Sequence, residues 1–423
     1  MSSATIRRLA YVLVGFVAVA VRWAFVDIQS IDYVAFLSPW WTYIDQHGHL
    51  AALKDGSFSN YNTPYLVLLA LATYLPVRAI AAIKAISIAF DVLLAVTASR
   101  LVVAVRPRSA WLPFVTFVVV CLLPTTVMNS GIWAQCDSIY ATFCLASLVS
   151  LVRGRAWRAF AWFGVAFAFK MQALFLLPVL VGVLLTNRLR VRTLAAAPVT
   201  FLACLVPALV AGRSLWSQLG VYGAQIGNPS GVSGSSGGGA PGGAMPGGPG
   251  TPGMPGDRGG PPGGMPTTSP AAATMLTHNA PTPYAWLPSS SVLLYSGLAV
   301  TALVVVAFGV WLLLRKKPLS PGEVVLVAAT SALIIPLLLP HMHDRYFYLA
   351  EILLVVACMV NRRFVVAALG LQVASISTYL AFLRGEPLMP LALAAVFALA
   401  AGVVATWLLV QVLRTSARAE ALS

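Results

Sequence analysis

Polar residues that could perform acid–base or phosphate chemistry occur in four short segments of an otherwise apolar sequence. These segments contain, in order, Asp32; then Trp133, Gln135 and Asp137 in "NSGIWAQCDSIY"; then Lys170 and Gln172 in "FAFKMQALF"; and finally His341, His343, Arg345 and Tyr346 in "LPHMHDRYFYLAE". A carboxylate can accept a proton from a hydroxyl group, whereas lysine and arginine can bind an anion. Together these residue types predict a site that moves a proton beside a bound anion.

Each segment also has a purely structural interpretation. Asp32 could be a solvated loop carboxylate, Asp137 could be favoured by the dipole of a helix N-terminus, and Lys170 could extend to lipid headgroups. Two histidines two residues apart, next to a carboxylate, could bind a metal ion. The adjacent Arg345 favours phosphate instead, because its guanidinium group matches phosphate geometry, and we predict no metal site.

The composition indicates that lipid surrounds most of the chain. Of the 423 residues, 59% are hydrophobic and 9% are charged, and the mean hydropathy is +0.86. A soluble domain has about a quarter of its residues charged. Most of the sequence falls into apolar runs without alternation, each long enough for a helix to cross about 30 Å of hydrocarbon. The predicted fold class is therefore all-α, a polytopic transmembrane helical bundle.

The basic residues indicate how the chain is threaded. Many of them occur in seven short clusters between apolar runs, and short loops rich in lysine and arginine stay in the cytoplasm. Seven clusters predict about twelve spans, with both termini cytoplasmic and all five histidines on the external side. The net charge of +15 thus reflects topology and not a nucleic-acid partner. We expect a multi-pass protein of a bacterial plasma membrane.

Two apolar regions do not fit simple spans. Residues 64 to 77 are too short, so we predict a helix that dips into or lies on the outer leaflet. Residues 157 to 186 are too long for one span and short for two, which predicts two short helices turning at Lys170. Asp91 lies midway along a predicted span, with Lys84 or Lys170 expected as its partner.

The chain divides into three predicted regions. Residues 1 to 226 form a catalytic transmembrane module, which includes an external loop at 27 to 63. Residues 227 to 283 are rich in glycine and proline and are predicted to be a disordered external loop, since they cannot bury enough apolar surface. Residues 284 to 423 form a C-terminal transmembrane module.

The order of several motifs resembles that of the membrane-integral C-type (GT-C) glycosyltransferases, which use polyprenyl-phosphate sugars. The motifs are "DY" after the first span, "NYNTPYLVLL", "NSGIWAQCDSIY", "FKMQALFLLP" and "HMHDRYFY". The sequence looks most like bacterial proteins related to GPI mannosyltransferase II, and more distantly like the glucosyltransferases that extend lipid-linked oligosaccharides. The resemblance covers most of residues 1 to 215 and 285 to 365.

The resemblance implies transfer of a hexose, mannose or glucose, from a polyprenyl-phosphate donor to an acceptor hydroxyl on the extracytoplasmic face, with inversion. Asp32 would be the base, and Asp137 is the second candidate catalytic carboxylate. The expected donor-phosphate contacts are Lys170, Arg345, His343 and His341, and the expected substrate contacts are Tyr33, Trp133, Gln135, Gln172 and Tyr346. We expect no required cofactor, because fixed cations can neutralise the leaving phosphate. The acceptor could be a glycan, a lipid or a protein.

Two other functions fit parts of the sequence. The many predicted spans and the intramembrane carboxyl groups of Asp91 and Glu351 also occur in secondary transporters and lipid flippases. Transporters usually have internal repeats and a binding site near the midplane, whereas this sequence has no clear repeat and its candidate residues lie near one surface. An assembly subunit with a decayed site is the remaining alternative.

Overall fold

The N-terminal part of the protein is built from helices. The computed structural model describes residues 3–227, 275–315 and 317–421. Residues 3–227 contain α1 (Ser3–Trp23), α2 (Ser38–Gln46), α3 (Thr63–Ala72), α4 (Ala79–Val105), α5 (Leu112–Leu122), α6 (Pro124–Val127), α7 (Asp137–Val152), α8 (Ala156–Phe169), α9 (Leu177–Thr186), α10 (Ala196–Val210) and α11 (Leu215–Gly227).

The C-terminal part adds five helices and a small parallel sheet. The helices are α12 (Ser291–Leu314), α13 (Pro321–Leu338), α14 (Tyr348–Val360), α15 (Val365–Arg384) and α16 (Leu391–Ala421). The strands are β1 (Thr277–His278) and β2 (Met342–His343), in which Thr277 pairs with Met342 and His278 with His343. Short 3-10 and π-helical turns lie at Tyr33–Leu37, His49–Lys54, Met128–Ile132, Met171–Leu176, Val191–Ala195, Pro283–Trp286, Asp344–Phe347 and Arg362–Phe364.

Six helical segments of the described ranges are long and apolar enough to cross a membrane. They are Ala79–Val105, Val191–Val210, Ser291–Leu314, Pro321–Leu338, Arg362–Arg384 and Leu391–Thr415. A pair of helices bent by 48°, Leu112–Leu122 and Pro124–Ile132, would be a seventh span, and four further apolar helices are shorter. The structure thus supports an all-α membrane protein, while the predicted number of about twelve spans is not confirmed.

The short helices lie where the sequence departs from simple spans. Helix α8 ends at Phe169, and Lys170 is extended, with φ −152° and ψ 137°, before a 3-10 turn leads into α9. The predicted interruption at Lys170 is therefore confirmed. Helix α3 has ten residues, which is about 15 Å of helix and too short for a span. Its predicted position in the outer leaflet stays a prediction.

The bundle consists of two groups of helices that share a core. Helix α7 packs against α4 and α8, and α8 packs against α10, whereas α13, α14, α15 and α16 pack together in the second group. Helix α14 also contacts α4 and α5, and one apolar cluster contains residues of both groups. Helices α8 and α10 approach closely at Gly164, where a Cβ atom would lie 2.2 Å from the carbonyl oxygen of Ala197.

The predicted external loop at residues 27 to 63 is largely helical. It contains the π-helical turn, α2 and the following 3-10 turn. Its apolar side chains, among them Tyr33, Leu37, Trp41 and Leu53, pack in a second apolar cluster that also contains residues of α3, α4, α7 and α10. Sequence analysis missed these helices because the segment is too short and too polar to resemble a span. The compact loop fixes the position of Asp32, which directly precedes the π-helical turn.

The predicted disordered loop falls mainly on residues 228 to 274, which lie outside the described residues. For residues 275 to 283 the prediction of disorder was wrong, because β1 attaches this stretch to the "HMHDRY" segment through the pairing with β2. The predicted boundaries between the three regions stay predictions.

Candidate active site

The carboxylate of Asp32 is buried among three hydrogen-bond donors from distant parts of the sequence. Its Oδ2 atom accepts hydrogen bonds from Trp133 Nε1 at 2.9 Å, Gln135 Nε2 at 2.6 Å and Arg345 Nη1 at 3.1 Å. These donors follow Asp32 by 101, 103 and 313 residues. The structure therefore brings together four of the predicted site residues around one oxygen atom.

A sharp backbone bend lets Trp133 and Gln135 reach the same carboxylate. Ala134, which separates them, has a left-handed conformation with φ 65°. For a residue with a Cβ atom this conformation costs about 1–2 kcal/mol, so it persists only where the surroundings determine it. Ser30 Oγ donates to the Trp133 backbone carbonyl at 2.7 Å, and the backbone N–H of Gln135 donates to the backbone carbonyl of Asn129 at 2.9 Å.

A second buried carboxylate, that of Asp137, is paired with Lys170. The Lys170 ammonium group donates to Asp137 Oδ1, while Asn129 Nδ2 donates to Oδ2 at 2.9 Å. Lys170 Nζ also lies 5.9 Å from the ring centroid of Tyr61. A buried lysine is costly without such partners. The break after α8 thus places the ammonium group of Lys170 beside Asp137 in the first turn of α7.

Arg345 connects the two carboxylates electrostatically. Burial alone would lower the pKa of its guanidinium group, but the charges of Asp32 and Asp137 outweigh burial and raise that pKa above its ordinary value. The guanidinium carbon lies 5.4 Å from the ring centroid of Trp133. Arg345 is therefore a fixed cation beside both carboxylates.

Three histidines form a stack next to Arg345. Because β1 pairs with β2, the ring centroid of His278 lies 4.7 Å from that of His343 and 5.9 Å from that of His341. Burial and the neighbouring His341 lower the pKa of His278 to about 4, and burial lowers the pKa of His341 as well. Neutral imidazoles bind phosphate by hydrogen bonds, so any contact of His341 with a phosphate at neutral pH lacks ionic character.

Next to this stack, Asp344 is a buried carboxyl group. Its Oδ2 atom accepts a hydrogen bond from Asn279 Nδ2 at 3.1 Å, and burial raises its pKa to about 7. In the part of the chain that the structure describes, no three His, Cys, Asp or Glu side chains form a group suited to a metal ion.

Several buried polar atoms around this site lack a hydrogen-bond partner among the described residues. They are Asn129 Oδ1, Gln172 Oε1, His278 Nε2, His341 Nδ1 and Arg345 Nε. Buried polar atoms are nearly always paired. Unpaired polar atoms beside an arginine and two carboxylates are suited to hydrogen-bond a polar ligand.

The remaining predicted residues lie at different distances from this centre. Tyr346 is half-buried, its ring centroid is 5.2 Å from that of His343, and its hydroxyl interacts with Gln172. Tyr33 instead packs in the apolar cluster of the first loop and not among the donors to Asp32. The catalytic and binding roles assigned to all these residues stay predictions.

Sequence analysis missed other polar residues of the site. Asn129 and Tyr61 lie within the quoted motifs "NSGIWAQCDSIY" and "NYNTPYLVLL", which could have identified them. His278 and Asn279 lie within the predicted Gly/Pro-rich loop, and nothing in the sequence indicates that His278 pairs with a strand 65 residues later.

The predicted partner of Asp91 was wrong. Arg22, near the end of α1, donates through Nε to Asp91 Oδ2 at 2.6 Å and to Ser130 Oγ at 3.1 Å. Lys84 instead donates to the carbonyl groups of Phe25 and Ile28, both at 2.7 Å, and Lys170 pairs with Asp137. Helix packing places Arg22, and not a lysine, at the depth of Asp91.

Comparison with known proteins supports a glycosyltransferase. The sequence profile of glycosyltransferase family 87 matches residues 58–236, and no curated protein matches the chain. The matched stretch contains Trp133, Gln135, Asp137 and Lys170 but neither Asp32 nor Arg345. The resemblance to proteins related to GPI mannosyltransferase II is not confirmed and stays a prediction.

Proposed function

We propose that the protein transfers a hexose from a polyprenyl-phosphate donor to an acceptor hydroxyl, with inversion and with Asp32 as the base. The observation that supports this most is a buried carboxylate beside a cation whose hydrogen-bonding capacity is only partly used. Asp32 Oδ2 accepts three hydrogen bonds, while Arg345 Nε and several neighbouring atoms have no partner among the described residues.

Asp32 is suited to remove the acceptor proton. Its Oδ2 atom is held by Trp133, Gln135 and Arg345, whereas no described residue donates a hydrogen bond to Oδ1. In the proposed step, the acceptor proton moves to Asp32 as the acceptor oxygen bonds to the anomeric carbon. The bond between that carbon and the phosphate oxygen breaks, and polyprenyl phosphate leaves. Attack opposite the leaving group inverts the anomeric configuration.

Arg345 and Lys170 are suited to neutralise the leaving phosphate. Negative charge grows on the phosphate oxygens as the glycosidic bond breaks, and fixed cations in a site of low dielectric constant stabilise it strongly. Arg345 Nε has no partner within the described ranges, and Lys170 reaches the same region through Asp137. Because Asp32 loses its negative charge when it takes the acceptor proton, the positive charge of Arg345 is then available to the leaving phosphate, and we propose that no metal ion is required.

The arrangement of the helices supports an extracytoplasmic site. Helix α7 runs from Asp137 to a turn with Arg153 and Arg155, and α14 runs from the Arg345 segment to Arg362 and Arg363. The candidate site and these arginine clusters therefore lie at opposite ends of the same helices. Since basic loops stay in the cytoplasm, we propose that the site faces outward from a bacterial plasma membrane, with both termini inside.

The proposal is tested by incubating the purified protein in detergent with polyprenyl-phosphate mannose or glucose and a membrane extract, followed by mass analysis. We expect a glycosylated product, and Asp32→Asn should lower its rate of formation by about 10²–10⁴-fold. Asp45→Asn is the matched control, because the Asp45 side chain is 54% exposed in the same loop. Normal turnover by Asp32→Asn would overturn the assigned base, and absence of product with every donor would overturn the reaction.

A further inference from the structure

A cavity rimmed by arginines lies at the ends of α7 and α8 remote from Asp137 and Lys170. It has a volume of about 470 Å³ and is lined by Arg153, Arg155, Arg158, Trp162 and Thr200, among others. A second cavity of about 420 Å³ shares Arg155 and Arg158 and is also lined by Arg188 and Arg190. Five arginines thus surround two adjoining cavities.

These arginines are not neutralised by the rest of the described chain. Arg153, Arg155, Arg158, Arg188 and Arg190 are exposed. None of their side chains forms an ion pair or hydrogen bond with a residue in the ranges 3–227, 275–315 or 317–421. Several unpaired guanidinium groups around a concave surface favour an anion that can accept several hydrogen bonds, and their planar geometry suits phosphate.

The wall of the first cavity is apolar and continues onto an exposed side of α8. Ala161, Trp162 and Val165 line it, and Trp157 and Trp162 are large exposed apolar side chains. Tryptophan is enriched at the level of lipid headgroups. The cavity therefore offers an arginine rim for a phosphate and an adjoining apolar face for acyl chains.

The cavity is held open by packing between α8 and α10. Thr200 Oγ1 donates to the Ala161 carbonyl at 2.8 Å, and the close approach at Gly164 fixes the two helices beside it. We propose that this is a binding site for the headgroup of an anionic phospholipid, with the acyl chains along α8. This site is separate from the proposed hexose transfer and does not depend on it.

The test measures lipid binding to the full-length, delipidated protein in detergent. Phosphatidylglycerol and phosphatidylcholine are titrated separately, and binding is followed by native mass spectrometry. We expect phosphatidylglycerol to bind in preference to phosphatidylcholine, and Arg155→Gln combined with Arg158→Gln to weaken that binding. Each basic residue near an anionic lipid contributes about fivefold, so the expected loss is about 25-fold.

A charge-matched control distinguishes a site from general surface attraction. Arg362→Gln combined with Arg363→Gln removes the same charge at the same end of the bundle but does not line either cavity. Arg188→Gln combined with Arg190→Gln tests the second cavity with different residues, and we expect a comparable loss. Equal losses in the control and cavity variants would overturn the proposal. So would equal binding of the two lipids, or full displacement of phosphatidylglycerol by millimolar inorganic phosphate.

Discussion

Among the described residues, two aspartate–arginine pairs in which the carboxylate is buried differ in how fully the arginine is used. In the first pair, Arg22 donates to Asp91, Ser130 and Thr126 and to the carbonyl groups of Ala18 and Cys121. All three nitrogens of this guanidinium group therefore have partners. Its side chain is 1% exposed, and the pair joins α1, α4, α5 and the turn that carries Trp133.

In the second pair, Arg345 is less completely bonded. It makes one side-chain hydrogen bond within the described residues, to Asp32 at 3.1 Å, and its Nε has no partner there. The side chain is 19% exposed. An arginine whose guanidinium nitrogens all have partners can only stabilise the fold. An arginine with unused N–H donors can also bind an anion. We infer that the Arg22 pair has a structural role next to the site and that the Arg345 pair acts on the substrate.

The largest expected effect on stability comes from Asp91→Asn. This change leaves the charge of Arg22 buried without a counterion, and breaking a buried pair costs about 3–5 kcal/mol. We expect a correspondingly lower free energy of unfolding for the detergent-solubilised protein, measured by denaturant titration. Asp32→Asn should cost less, because Arg345 is partly exposed and also lies near Asp137. If the two variants are equally destabilised, the contrast between the pairs is wrong.

A smaller effect, on catalysis, is expected from Arg345→Lys. Lysine keeps the positive charge but loses the planar fork that can bond Asp32 and a phosphate together. A hydrogen bond to a charged group contributes about 1.5–3 kcal/mol, so we expect kcat/KM to fall by about 10- to 100-fold in a hexose-transfer assay.

The matched control for this variant is Arg78→Lys. Arg78 donates to Asp27 at 2.7 Å, but its side chain is 68% exposed, and we expect unchanged kcat/KM. A normal rate for Arg345→Lys would show that charge alone suffices at this position.

The next prediction concerns pH and Asp344. Because burial raises the pKa of Asp344 to about 7, the group is neutral below that pH and becomes a carboxylate above it. The new negative charge would lie beside Arg345, where it opposes binding of a phosphate. We therefore expect the transfer rate to decrease as pH rises through 7, by at most about tenfold per pH unit.

The same titration affects stability with a defined sign. The folded protein keeps the Asp344 proton up to about pH 7, whereas an unfolded chain releases it near pH 4, so stability falls as pH rises between these values. Asp344→Asn should remove both the decrease in rate and this part of the stability change. If the pH profile of that variant is unaltered, Asp344 does not control either one.

The contrast between the pairs also shows what the sequence could and could not reveal. The motifs located Asp32, Gln135, Asp137, Lys170 and Arg345, because charged and amide residues are conspicuous in apolar surroundings. The partners were harder to assign, since they depend on helix packing and on chain segments separated by 69 to 313 residues. The helices of the first loop and the strand pairing of His278 carry no periodic pattern, and both were missed.

The smallest expected effect is at the Arg78–Asp27 pair, which extends the comparison to the surface. Its hydrogen bond of 2.7 Å is shorter than the 3.1 Å bond between Arg345 and Asp32, but the two side chains are 68% and 72% exposed. Exposed pairs contribute at most about 1 kcal/mol. We expect Asp27→Asn to change the free energy of unfolding by less than this and to leave the transfer rate unaltered. A decrease in the free energy of unfolding comparable to that of Asp91→Asn would contradict this. It would mean that hydrogen-bond length determines the contribution of these pairs, and not burial or the number of hydrogen bonds that the arginine makes.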